Sequence, residues 1–89
     1  MANLYLIDRP FGENGLALAR DDGDAAIVLI QDGVYFDVGE FTKNGNSVYA
    51  IRRDLQERGL DDRLPEAVKR IDYGELVDLV LQHRVINFA

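Results

Sequence analysis

Residues 25–30 read AAIVLI, six apolar residues with no polar position between them. A strand with one wet face alternates apolar and polar residues. An unbroken run fits a strand covered on both faces, as in a parallel sheet sandwiched between helices. This stretch points to an α/β fold with three layers, α/β/α, around a mainly parallel sheet. The run ends in Gln31-Asp32-Gly33, and aromatics return at Tyr35 and Phe36. A polar tip on a doubly buried strand is either a strand-to-helix turn or a place where something binds.

The rest of the chain alternates in the same way. NLYLI at residues 3–7 reads as a short strand closed by Asp8-Arg9-Pro10, because proline withholds a ladder donor. ENGLALAR at 13–20 reads as a short helix weakened by Gly15, and Asp21-Asp22-Gly23-Asp24 as a turn. Residues 34–41 read as a short helix or an irregular crossover. Asn44-Gly45-Asn46 is a turn before a third strand, SVYAI, at 47–51. RDLQER at 53–58 reads as a helix closed by Gly59. A polar loop at 61–65 precedes a fourth strand, AVKRI, at 67–71. Asp72 fits the N-cap of a helix over 73–83, with Glu75 completing a capping box, and VINF at 85–88 is a fifth strand.

Eighty-nine residues give room for one domain, spanning 1–89, since two cores would each be too small. Three or four short helices hardly cover both faces of a five-stranded sheet. Uncovered apolar surface and open edges favour association.

Composition narrows the chemistry. Sixteen acidic against ten basic residues give a net charge of −6, which disfavours direct, tight nucleic-acid binding by this chain alone. There is no cysteine, so disulfides and thiol or persulfide chemistry by this chain are excluded, and a reducing, cytoplasmic setting fits. No run approaches the roughly 20 apolar residues of a membrane span. MANLYLIDRP has neither a basic leader nor a long apolar core, so no signal peptide is expected.

Nucleophiles are scarce: Ser47, Thr42 and His83 are the only residues of their types. Ser47 falls at the start of a strand and His83 at the end of a helix, which argues against a triad. His83 is expected to meet carbonyls at its helix end. One histidine among scattered carboxylates has no zinc-ligand spacing, and Gly12-Glu13-Asn14-Gly15 lacks the full dinucleotide fingerprint. No metal and no cofactor is expected.

Topology supplies the functional clue. In open parallel sheets, ligands bind outside the carboxyl ends of the strands. Gln31, Asp32 and Gly33, then Arg52, Arg53 and Asp54, then Asp72 and Tyr73 all fall at such ends and should share one rim. Tyr35 follows the first group, either in the core or as an interface anchor. Gly33 is expected to permit a sharp bend, and Asp32 to cap the helix that follows.

The segments IVLIQDGVY, SVYAIRRDLQERGL and RIDYGELVDLVLQHRVINF, in this order, resemble the DsrH/TusB family of sulfur-relay proteins over residues 26–88. That resemblance implies a five-stranded α/β/α domain. It also implies DsrE/TusD-like and DsrF/TusC-like paralogues as partners, in a hexamer built as a dimer of heterotrimers. Such a complex relays persulfide sulfur, in one branch toward 2-thiolation of the wobble uridine in tRNA and in another for dissimilatory sulfur oxidation. Some members carry a cysteine after the first strand; this chain carries none. It is therefore expected to be a non-catalytic, accessory subunit, with Gln31, Asp32, Gly33, Tyr35, Arg52, Arg53, Asp72 and Tyr73 as rim or interface residues. The competing readings are a stand-alone homo-oligomeric binding module of the same fold, and an enzyme using Asp32 and Asp72 as an acid–base pair.

Overall fold

The computed structural model describes residues 2–89. Five strands, β1 (Asn3–Ile7), β2 (Ala26–Leu29), β3 (Ser47–Ile51), β4 (Lys69–Ile71) and β5 (Arg84–Phe88), form one sheet in the order β4-β3-β2-β1-β5. Every pairing is parallel. Four helices connect them: α1 (Gly12–Arg20), α2 (Gly39–Lys43), α3 (Arg52–Glu57) and α4 (Tyr73–Gln82). The expected three-layer α/β architecture holds, with a sheet that is entirely parallel.

Strand parity divides the interior into two cores. On one face Tyr5, Ile7, Ile27, Leu29, Val48 and Ala50 pack with Leu16 and Ala19 of α1, Phe41 of α2 and Leu55 of α3. On the other, Leu4, Ala26, Val28, Ile51 and Ile71 meet only Leu76 and Leu79 of α4 among the helices. The strand order explains the imbalance. The first three crossovers step the same way across the sheet and, all right-handed, stay on one face; the fourth returns from β4 to the far edge and must cover the other. No residue of α4 is fully buried.

β2 is buried at all four positions, as an apolar run with no alternation demands. The 34–41 stretch is not one helix. A 3₁₀ turn, Gln31–Tyr35, precedes the extended Phe36 and then the short α2. β4 is two residues shorter than AVKRI, because Val68 turns back to donate to the Pro65 carbonyl at 3.0 Å. The Arg70 guanidinium holds that loop, donating to the carbonyls of Pro65, Val68, Asp61 and Leu64 at 2.6–3.2 Å. The capping box at α4 is present in full: Asp72 Oδ1 accepts from Glu75 N at 2.7 Å, and Glu75 Oε1 accepts from Asp72 N at 3.4 Å.

At the amino-terminal edge of the sheet, Asp22 Oδ2 accepts from Asn3 Nδ2 at 2.8 Å and from the Tyr5 hydroxyl at 3.2 Å. The Asn3 amide, first among the causes, holds the Asp22 carboxyl below its ordinary range. Burial, and then the bond to Asp22, raise Tyr5.

Candidate functional site: a rim between β3 and β4

β3 leads into α3 on one face of the sheet, and β4 leads into α4 on the other. The carboxyl ends of these adjacent strands therefore part, leaving the crevice at which open α/β sheets bind their ligands. A cavity of about 270 Å³ lies there, lined by Gln31, Arg53, Asp54, Glu57, Arg58 and Tyr73.

Asp54 organises it. Its residue is only 5% exposed, the one buried charged residue among those described. Its Oδ2 accepts from the Gln31 backbone N–H at 2.7 Å and from the Tyr73 hydroxyl at 2.9 Å. Arg58 donates from Nη1 to the Asp54 carbonyl at 3.1 Å, and its Nη1 lies 3.9 Å from Oδ1. One carboxylate thus ties together the tips of β2, β3 and β4. A buried charge is tolerated when it is paired and hydrogen-bonded in this way.

The Gln31 bond has a conformational consequence. Gln31 adopts φ 48°, the one non-glycine residue with positive φ among those described. A left-handed conformation costs an L-residue about 1–2 kcal/mol. The Asp54 carboxylate, bonded to that residue's own N–H, offsets this cost. Gly33, two residues on, has no positive φ. Its role is close approach rather than a sharp bend: a Cβ there would lie 2.0 Å from the Ile7 carbonyl oxygen. Asp32 caps nothing, since the 3₁₀ turn has no side-chain cap. Its carboxylate instead accepts from Arg58 Nε at 3.0 Å, with Nη2 also 3.0 Å away. The bond to Asp32 raises Arg58 above its ordinary value, which keeps the guanidinium charged. Burial, then the hydrogen bond and charge of Asp54, raise the Tyr73 hydroxyl.

The remaining rim residues separate. Arg53 lines the crevice, exposed, and pairs with Glu57 at 3.0 Å. Arg52 points along the β4 side, donating to the Arg70 carbonyl at 3.2 Å. Asp72 is committed to capping α4. Tyr35 is 48% exposed, with the Arg9 guanidinium 5.2 Å from its ring centroid and 5.7 Å from that of Phe36. Tyr35 lines a different cavity, of about 330 Å³, between residues 34–38 and the 60–65 loop. Phe41, by contrast, is core. His83 Nδ1 lies 2.7 Å from the Leu79 carbonyl, the expected helix-end contact.

Gln31, Arg53 and Tyr73 are thus brought together, and Asp32 joins them through Arg58. Gly33, Tyr35, Arg52 and Asp72 lie outside the crevice. Asp54 and Arg58 are the residues that sequence reasoning underweighted. Their signal was present in their i, i+4 spacing at the start of a helix that follows a strand. Chemically the crevice is polar and nearly charge-balanced, and each of its charged side chains is engaged by a neighbour. Asp32 and Asp72 have separate structural partners, which leaves the acid–base reading without a pair.

Residues 13–86 match the family model described as DsrH like protein. The chain is 36% identical to protein TusB of Photorhabdus laumondii, with 74% of this chain and 73% of the relative covered. It is 33% identical to protein TusB of Pectobacterium parmentieri, covering 71% and 72%. Among solved structures it superposes on the ychN protein of E. coli with a TM-score of 0.72 at 21% identity, over 98% of this chain and 97% of that one, a likeness of fold. A family model that matches most of the chain, together with relatives above 30% identity, places it: this protein belongs to the DsrH family.

Proposed function

We propose that the protein is a cysteine-free, non-catalytic subunit of a sulfur-relay complex, supporting persulfide transfer toward 2-thiolation of the tRNA wobble uridine. The observation that carries this reading is the pairing of DsrH membership with the absence of any cysteine. A sulfur relay passes persulfide between thiols, and the thiolate is the nucleophile. Without a thiol, this chain can serve a relay only by shaping the surface on which a partner's cysteine works. The partners are DsrE/TusD-like and DsrF/TusC-like paralogues. The Asp54-centred latch suits that role, because it holds three strand tips in one rigid rim. The exposed Arg52 and Arg53 beside it present positive charge to an anionic persulfide or phosphate.

The test is affinity capture of the tagged chain from its source cells, followed by native mass measurement. Two cysteine-bearing paralogues recovered at equal stoichiometry are the expected result. A chain that stays monomeric at micromolar concentration, with and without those paralogues, overturns the proposal.

A further inference from the structure

We infer that the cavity between residues 34–38 and the 60–65 loop binds a small apolar α-amino acid, with Arg63 taking its carboxylate and Asp37 its ammonium group. The cavity shares no lining residue with the Asp54 crevice, and the inference does not rest on the sulfur-relay reading.

The volume, about 330 Å³, falls in the range of small-molecule sites. Val34 and Val38 line it while buried, at 2% and 1% exposure, in the core shared with α1, α2 and α3. Leu60, Leu64 and Phe36 line it while packing against that core, and the half-exposed Tyr35 adds a second ring. A concave lining of aliphatic and aromatic side chains selects a ligand with an apolar body.

Both walls are held by contacts within the chain. The Arg70 guanidinium fixes the 60–65 loop through the carbonyls of Asp61, Leu64 and Pro65. On the other side, Asp32 accepts from Arg58 and so ties the 3₁₀ turn to the end of α3. The Arg9 guanidinium lies over the Tyr35 and Phe36 rings, and Gly33 is pressed against the Ile7 carbonyl. A site whose walls are already in place loses little conformational freedom when a ligand enters.

The polar groups decide the ligand class. Asp37 and Arg63 are the only charged residues that line the cavity. Among the described residues neither forms an ion pair, with the other or with a third group. Asp37 Oδ1 accepts from the Gly39 N–H at 3.0 Å, and its Oδ2 has no protein donor among the described residues. Both residues are exposed while the valines are buried, so the charges sit at the mouth and the apolar atoms at the floor. A monoanion would satisfy Arg63 and meet the like charge of Asp37, and a monocation would do the reverse. An α-amino acid carries both charges on one carbon and sends its side chain to the floor. Charge-assisted hydrogen bonds of this kind are the strong ones, and a ligand lacking one of the two groups leaves its partner unmatched.

The test uses L-phenylalanine as the probe, against 3-phenylpropionate, phenethylamine and glycine, which lack in turn the ammonium, the carboxylate and the apolar body. Calorimetry on the purified chain should show L-phenylalanine binding at least about 10-fold more tightly than each of the three. Amide chemical shifts should move at residues 34–38 and 60–65. Asp37→Asn keeps the bond to Gly39 and removes the charge. It should weaken L-phenylalanine at least about 10-fold and tighten 3-phenylpropionate. Arg63→Gln should weaken L-phenylalanine to a similar degree and leave phenethylamine no weaker. Both positions are exposed, so circular dichroism should be unchanged. The series on the unmodified chain stands whether or not a variant folds. The inference is overturned by no saturable binding of L-phenylalanine up to about 5 mM. Shifts that centre on α4 or on the Asp54 crevice overturn it as well. So does 3-phenylpropionate binding as tightly as L-phenylalanine, which makes the cavity an anion site, or binding indifferent to both substitutions.

Discussion

Tyr73 donates its hydroxyl to Asp54 at 2.9 Å across the point where β3 and β4 send the chain to opposite faces of the sheet. The bond couples the first turns of α3 and α4, two helices that the sheet otherwise keeps apart. The same carboxylate oxygen holds the Gln31 N–H, so the tip of β2 is tied to the same point.

Asp54→Ala is expected to be the most damaging single change at the rim. It leaves the Gln31 N–H and the Tyr73 hydroxyl without their acceptor, and Arg58 with Asp32 as its remaining close carboxylate. Loss of a buried acceptor and of a hydrogen-bonded charge costs about 2–4 kcal/mol. Asp54→Asn retains an acceptor oxygen and should cost roughly half as much. Urea unfolding of both variants measures the difference; an Asp54→Ala loss under 1 kcal/mol would refute the latch.

The Gln31-Asp32-Gly33 turn makes two opposite predictions. Gly33→Ala drives a Cβ into the Ile7 carbonyl at 2.0 Å, a backbone obstacle that cannot rotate away. The expected loss is about 3 kcal/mol or more. Gln31→Gly relieves a left-handed residue at some cost in unfolded-state entropy, so a net gain of about 0.5 kcal/mol is expected. Thermal melts of the two variants should move in opposite directions.

Stability should fall at both ends of the pH scale, for separable reasons. Tyr73 is raised above 10.0 by burial and by Asp54, so the folded state favours its protonated form. That contribution is complete below pH 10 and disappears as pH climbs through the raised value. Tyr73→Phe should flatten the alkaline limb. Asp22 is lowered from 3.8, chiefly by Asn3, so its contribution is present above pH 3.8 and is lost as pH falls through the lowered value. Asn3→Ala should flatten the acid limb. Urea midpoints between pH 2 and 11.5 test both; a Tyr73→Phe profile parallel to wild type throughout would contradict the first.

The parts of this fold that were readable in the sequence are those governed by local chemistry. AAIVLI announced a doubly covered strand because a half-wet strand cannot dispense with polar residues. Asp72 and Glu75 announced the start of α4 because a capping box needs only four consecutive residues. Gly59, at φ 65°, closes the helix it was expected to close. What escaped was set by tertiary proximity. Nothing in QDG says that Gly33 must lie against the Ile7 carbonyl, or that Asp32 will find Arg58, 26 residues away, instead of a helix start. The strained residue proved to be Gln31, whose conformation depends on a carboxylate 23 positions along the chain. The shared rim could be read from topology. The i, i+4 spacing of Asp54 and Arg58 marked a helical pair, but such a pair ordinarily lies on the surface, and the burial that makes Asp54 the centre is set by Gln31 and Tyr73 from other strand tips.

The exposed arginines yield a prediction about the association rate. Among the described residues Arg53 is paired only to the exposed Glu57, and Arg52 only to a carbonyl, so both keep their charge close to solvent. In a chain of net charge −6 they form a small positive spot at the rim. Charges at the margin of an interface mainly steer encounter, and salt screens them over about 8–10 Å. Combined reversal, Arg52→Glu with Arg53→Glu, should slow association with a DsrE/TusD-like partner by about 3–10-fold at low ionic strength. Dissociation should change little, and the difference should vanish near 0.5 M salt. Stopped-flow association across a salt series measures this. A slowing that persists in high salt would mean that the arginines make short-range contacts, and a rate that does not change at any salt would remove the spot from the proposed interface.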